Sequence, residues 1–183
     1  MRVLVAVASK HGSTRELAMS LGRYLAHHGL DVDVRDIPAI HAIDEYDAVV
    51  IGSAVYAGHW RREARHFVKR HAGELINRPV WLFSSGPLGD PSEDEDGGVR
   101  LESILKAIGA HEHRVFDGAL DRSRLNPVER GIVHMVGAPQ GDFRNWADVA
   151  DWAVRISDEL DIHRAWLAGG LARGGYVSTE PPA

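Results

Sequence analysis

The residues best placed to do chemistry stand at the end of the first apolar run. Val3-Leu4-Val5-Ala6-Val7-Ala8 gives way to Ser9-Lys10-His11-Gly12-Ser13-Thr14, and a helical pattern follows at once. An unbroken run of small and β-branched residues suits a strand buried on both faces, as in a parallel sheet. Where such a strand hands over to a helix, N–H groups lack intrahelical acceptors and the helix dipole is positive, so anions are favoured. Ser9, Gly12, Ser13 and Thr14 are therefore expected to hold a phosphate, with Gly12 allowing close backbone approach. The alternative is that Ser13 or Thr14 simply caps the helix.

Two further loops have the same character. Ser53–His59 follows the apolar run Tyr46–Ile51, and Ser84–Gly89 follows Val80–Phe83. Between the loops lie helical patterns. Arg15–His28 carries Leu17, Leu21, Tyr24 and Leu25 at helical spacing, with Gly29 at its end. Trp60–His71 turns Ala64, Phe67 and Val68 inward, and Val99–Ile108 and Asp142–Leu160 complete the set. Leu30–Ile37 alternates apolar and charged residues, the pattern of an edge strand with one wet face. Glu112–Leu120 reads as a last strand.

Strands alternating with helices imply an α/β sandwich with a mostly parallel sheet and right-handed crossovers. Ligands of such sheets lie beyond the carboxyl ends of the strands, where the strand order switches. All three Gly- and Ser-rich loops belong at those ends.

Composition bounds the chemistry. The 183 residues carry 44% hydrophobic and 26% charged side chains, as expected of one globular domain. A net charge of −5 speaks against nucleic-acid binding. The absence of cysteine excludes disulfides, thiolate–zinc sites, iron–sulfur clusters and a thiol nucleophile. No G-x-S-x-G elbow occurs. The eleven histidines include the pairs His27-His28, His66 and His71, and His111 and His113, none with a metal-site spacing, so they are read as surface groups and no metal is expected. No apolar run reaches the roughly 18 residues of a membrane span. Met1 leads within two residues into a core strand, so no secretory leader is expected and the location is read as cytoplasmic.

The first loop, Ser9-x-x-Gly12-x-Thr14, resembles the phosphate loop of flavodoxins, hydroxyl-x-hydroxyl-Gly-x-Thr, with His11 in place of the second hydroxyl. Val49-Val50-Ile51-Gly52-Ser53-Ala54-Val55-Tyr56-Ala57-Gly58-His59-Trp60 and Phe67-Val68-Lys69-Arg70-His71 resemble the flavodoxin-type, menaquinone-dependent protoporphyrinogen oxidase family. Phe116-x-Gly118-Ala119-Leu120 and the helix containing Trp146 resemble it too.

The resemblance implies a flavodoxin-like three-layer sandwich, its five-stranded parallel sheet ordered 2-1-3-4-5 with helices on both faces. It covers residues 1–160, with residues 121–145 as an insertion after the last strand and 161–183 as a partly flexible tail. It implies FMN as cofactor. Ser9, Lys10, His11, Gly12, Ser13 and Thr14 would take the phosphate. Ser53, Ala54, Val55, Tyr56, Ala57 and Gly58 would run beside the ring, with Tyr56 a better stacking partner than Trp60. Ser84, Ser85, Gly86, Pro87, Leu88 and Gly89 would close over it.

His59 would be the catalytic candidate, since an ordinary histidine titrates near neutrality. Its plainer reading is a partly exposed surface histidine. The partner would be a small molecule, such as a quinone or protoporphyrinogen, or a redox protein. Peripheral membrane contact and a homodimer are both compatible with it. Two departures stand out. Residues 121–145 are shorter than the family's basic, aromatic insertion, and Glu93-Asp94-Glu95-Asp96 would repel porphyrin propionates. A non-enzymatic electron carrier, or a deazaflavin-binding or cofactor-free protein of the same fold, remains as an alternative.

Overall fold

The structure is a computed structural model that describes residues 1–56, 58–86, 101–121, 123, 125, 127, 130, 131, 134 and 140–173. Ala57, Pro87, Leu88, Gly89 and the acidic run at residues 92–96 lie outside the described residues, as does most of the short helix read from Asn126-Pro127.

β1 (Arg2–Ala8) is buried along its length after Arg2. Alternate side chains of a strand point to opposite faces, and here each face has its own core. Val3, Val5 and Val7 pack with Leu17, Leu21 and Leu25 of α1 (Ser13–His27) and with Val149, Trp152 and Ile156 of α4 (Trp146–Arg173). Leu4, Ala6 and Ala8 pack with Phe67 and Val68 of α2 (Arg62–Leu75) and Ile104 and Ile108 of α3 (Leu101–Ile108). Three layers follow directly from a strand that is apolar on both sides.

The remaining strands are β2 (Asp31–Asp36), β3 (Ala48–Tyr56), β4 (His59–Trp60), β5 (Val80–Gly86), β6 (Glu112–Asp117), β7 (Ala119–Leu120) and β8 (Gly141–Asp142). Five are parallel, in the order β2-β1-β3-β5-β6. This is the expected order once the two-residue β4 is set aside, and β2 is the half-wet edge strand. The order reverses between β1 and β3, so a crevice opens over their carboxyl ends. The register aligns Ala8, Ser53 and Ser84 across that end of the sheet.

Four local differences from the sequence reading matter. Residues 53–56 and 59–60 form a hairpin, not a loop: β3 runs on through Tyr56 and pairs antiparallel with β4, Tyr56 opposite His59. Gly58 turns it with φ 77°, a conformation open to glycine without strain. Trp60 therefore belongs to β4, and α2 starts at Arg62. Glu112–Leu120 breaks at Gly118, and β7 pairs with β8 instead of prolonging β6. Finally, α4 begins at Trp146 and continues through Arg173, well past Leu160, its last buried residue in the described part.

Two histidines are not surface groups. His71 is buried, its Nδ1 2.8 Å from Glu74 Oε1 and its Nε2 accepting from Arg70. His113 is half-buried against Ser84. Among the described residues no group of three potential metal ligands comes together, and no helix is long and apolar enough to cross a membrane.

Candidate functional site

The carboxyl ends of β1 and β3 meet the amino ends of α1 and α2 here. Gly12 stands just before α1 with φ 93° and ψ −21°, so the chain turns sharply out of β1. The Glu16 N–H is the first in α1 to reach a backbone carbonyl, that of Gly12 at 2.9 Å. The N–H groups of Ser13, Thr14 and Arg15 have no acceptor within the helix, which makes this end an electropositive cradle.

The hydroxyls of the first loop are held from behind. The Gly12 N–H donates to Ser9 Oγ at 3.1 Å, and the Ala119 N–H donates to Ser13 Oγ at 2.9 Å. A serine oxygen that accepts still keeps its hydrogen to donate. Ser9 and Ser13 are thus oriented donors. Thr14 is buried in the first turn, while Lys10 is exposed at the loop tip. His11 lies edge-on to Tyr56, ring centroids 6.3 Å apart, and so joins the first loop to the hairpin.

Two cavities share this region. One of about 400 Å³ is lined by Val7, Ala8, Ser9, Lys10, Gly12 and Arg15, with Asp36, Pro38, Arg61 and Glu63 closing its far side. The other, about 560 Å³, is bounded by Tyr56, His59, Trp60, Arg62 and His66 and shares Lys10, Arg61 and Glu63 with the first. Arg61 and Glu63 pair at 2.7 Å on the ridge between them. Glu63 is held below the usual carboxylate range, first by a hydrogen bond from its own backbone N–H and then by Arg61. Cations outnumber carboxylates around both spaces, and Tyr56, 41% exposed, offers a ring face to the larger one.

The serines of the other two segments behave differently. Ser53 is fully buried: its hydroxyl donates to the Ala54 carbonyl at 2.9 Å and accepts the Arg61 N–H at 3.0 Å. Ser84 is equally buried, accepting from Trp60 Nε1 at 2.7 Å and lying 2.8 Å from His113 Nε2. Both hydroxyls are used inside the protein, where they fix the hairpin to α2 and β5. Ser85 is buried too, and Gly86 lies against Val55, whose carbonyl would stand 3.1 Å from any Cβ placed there.

The structure therefore brings Ser9, Lys10 and Gly12 of the first loop together with Tyr56, His59 and Trp60 around two adjoining cavities, whereas Ser13, Thr14, Ser53 and Ser84 are not part of their walls. Arg15, Asp36, Arg61, Arg62 and Glu63 join the cavity walls without having been singled out in sequence, and His66, read there as a surface group, joins them. For Arg61, Arg62 and Glu63 the signal was the charged cluster at the start of α2, which was hidden by reading Trp60 as helical.

Comparison with known proteins gives the family and the fold. Residues 4–145 match the flavodoxin domain model. The chain is 35% identical over 179 residues to protoporphyrinogen IX dehydrogenase [quinone] of Escherichia coli K12, covering 88% of this chain and 97% of that protein. Among solved structures, a flavodoxin from the domain Archaea superposes with TM-score 0.60 at 12% identity, covering 88% of this chain and 99% of that one. A rubredoxin oxygen:oxidoreductase from Desulfovibrio gigas gives 0.60 at 15% identity, over 88% of this chain and 36% of that one. Both structural likenesses are of fold.

Proposed function

The chain belongs to the flavodoxin-domain family, and from that premise we propose that it is an FMN-dependent oxidoreductase passing electrons or hydride between the flavin and a small partner, such as a quinone or protoporphyrinogen. The observation that carries this reading is the pair of adjoining cavities. One lies at the amino end of α1 with Lys10, Arg15 and Arg61 on its wall, the other has Tyr56 on its wall, and they share Lys10, Arg61 and Glu63.

The residues present fit the cofactor. The Ser13, Thr14 and Arg15 N–H groups and the Ser9 and Ser13 hydroxyls would hold the phosphate, with Lys10 and Arg61 adding positive charge. Tyr56 would lie along the ring, and Gly86 would let the end of β5 come close to it. When bound, FMN supplies the redox chemistry, which no side chain in the crevice performs by itself. The protein's part is to bind, orient and exclude water. His59, on the wall of the larger cavity, stands where it would exchange a proton with a bound partner. The same reading places the protein in the cytoplasm, docking on a quinone or a redox protein from outside any membrane.

The test begins with the purified full-length protein. It should be yellow and should release FMN on heating, and the flavin-free form should bind added FMN. Thr14→Ala should weaken that binding about tenfold, since it changes the buried first turn beside the phosphate. A colourless protein that ignores added FMN refutes the reading. Turnover with a quinone as acceptor then distinguishes an enzyme from a simple carrier.

A further inference from the structure

We propose that Arg144, at the foot of the 121–145 insertion, is a positioning residue that sets the phosphate loop for its anion; this rests on the flavin reading above. The insertion leaves and rejoins the domain through the β7–β8 ribbon, in which Ala119 faces Asp142 and Leu120 faces Gly141. Both strands of the ribbon are fastened to the start of α1. On one side the Ala119 N–H holds Ser13 Oγ. On the other, Arg144 Nη1 donates to Glu16 Oε2 at 2.6 Å and lies 3.5 Å from the Ser13 carbonyl oxygen. The same guanidinium grips Asp142 twice, Nε to Oδ1 at 2.7 Å and Nη2 to Oδ2 at 2.6 Å, and lies over the Trp146 ring at 4.6 Å. Its side chain is only 7% exposed.

Two consequences follow for a phosphate. Glu16 puts a carboxylate in the first turn of α1, where it would compete with and repel an incoming anion. Arg144 shares its one positive charge between Glu16 and Asp142 and so offsets part of that repulsion while holding the Glu16 carboxylate against the stem of the insertion. Ser13 Oγ takes the Ala119 N–H, and the Ser13 carbonyl, which shares its peptide plane with the Thr14 N–H, lies 3.5 Å from Arg144, so both partners bear on the first turn of α1. A planar fork can hold Asp142 and Glu16 together, whereas a lysine ammonium offers a single point charge. The stem of the insertion thus bears on the first turn of α1.

Riboflavin, which lacks the phosphate, separates this role from a general structural one. Dissociation constants for FMN and for riboflavin are measured on flavin-free full-length protein, with thermal melts alongside. Arg144→Ala should weaken FMN about tenfold, equivalent to ~1.4 kcal/mol, and leave riboflavin within about twofold. Arg144→Lys should fall between wild type and Arg144→Ala, and serves as the readout if the alanine variant does not fold. Adding Glu16→Gln to Arg144→Ala should recover part of the FMN affinity, because the carboxylate that Arg144 had held is gone. Equal losses for FMN and riboflavin would make Arg144 a plain stability residue and overturn the proposal. So would FMN binding unaltered in the lysine and alanine variants of a protein that itself prefers FMN. A wild-type protein with no preference for FMN over riboflavin overturns both this proposal and the phosphate site on which it rests.

Discussion

Ser84→Ala tests whether the buried serines are structural. Ser84 is inaccessible and Trp60 nearly so, and the indole N–H donates to Ser84 Oγ at 2.7 Å. Tryptophan only donates, so the arrangement that satisfies every group has Ser84 accepting from Trp60 and donating to His113 Nε2. Removing the hydroxyl leaves two orphaned groups of different cost. His113 is half-exposed and can turn to water, while the Trp60 N–H is sealed. One buried donor without an acceptor costs roughly 1–3 kcal/mol, so the expected loss is about 2 kcal/mol. Urea unfolding followed by circular dichroism should show a lower midpoint at an unchanged slope. Trp60→Phe in the same background removes the stranded donor, so the double variant should be less damaged than the sum of the singles, by about 1 kcal/mol or more. A Ser84→Ala protein within about 0.5 kcal/mol of wild type, or strictly additive losses, would refute the reasoning.

Other expectations follow from equally local facts. Burial, and then its hydrogen bond to Asp33, push the Tyr46 phenol up to about 12. A raised folded value means that this stabilisation is complete below the ordinary value of about 10 and fades as the pH climbs from there through about 12. A late ionising phase should be seen at 295 nm, and Tyr46→Phe should abolish it; a Tyr46→Phe protein with the same late phase as wild type would contradict the assignment. A Cβ on Gly52 would fall inside the Phe83 ring, which is itself packed edge-on against Phe116 and Trp152 at 6.0 Å. Gly52→Ala should cost about 2–3 kcal/mol in urea unfolding, with part recovered by Phe83→Leu, and unchanged stability would show that the ring has room to move.

Much of this architecture was legible because its causes are local and periodic. Val3–Ala8 could only be a strand buried on both faces, and Leu17, Leu21 and Leu25 could only lie on one side of a helix. Leu30–Ile37 declared an edge by its charges. The hairpin was not legible, because Gly58 and a two-residue connection look the same whether the flanking residues pair or wander. Nor was the length of α4. Its last turns bury little in the described residues, with Ile162 and Trp166 both 71% exposed, so no apolar stripe announced them. Such turns persist because extending a formed helix adds one hydrogen bond for each residue ordered, without a new nucleus.

The candidate site divides along a sharper line. Sequence names a residue type but not the direction its side chain takes, and for serine the direction decides the role. Ser9 and Ser13 each accept a backbone N–H and keep a hydroxyl hydrogen to donate, while Ser53 and Ser84 both give and receive within the protein. Four serines at strand ends looked equivalent, and two of them are spent on holding the hairpin in place. On the function proposed above, recognition of an anion falls on the first turn of α1, the Ser9 and Ser13 hydroxyls and the nearby cations. The ends of β3 and β5 contribute shape: a hairpin, the Tyr56 ring, and close backbone at Gly86. This also gives His11 a meaning. It stands where the resembling flavodoxin loop has a hydroxyl, yet its ring meets Tyr56, so the position that departs from the flavodoxin pattern ties the first loop to the hairpin.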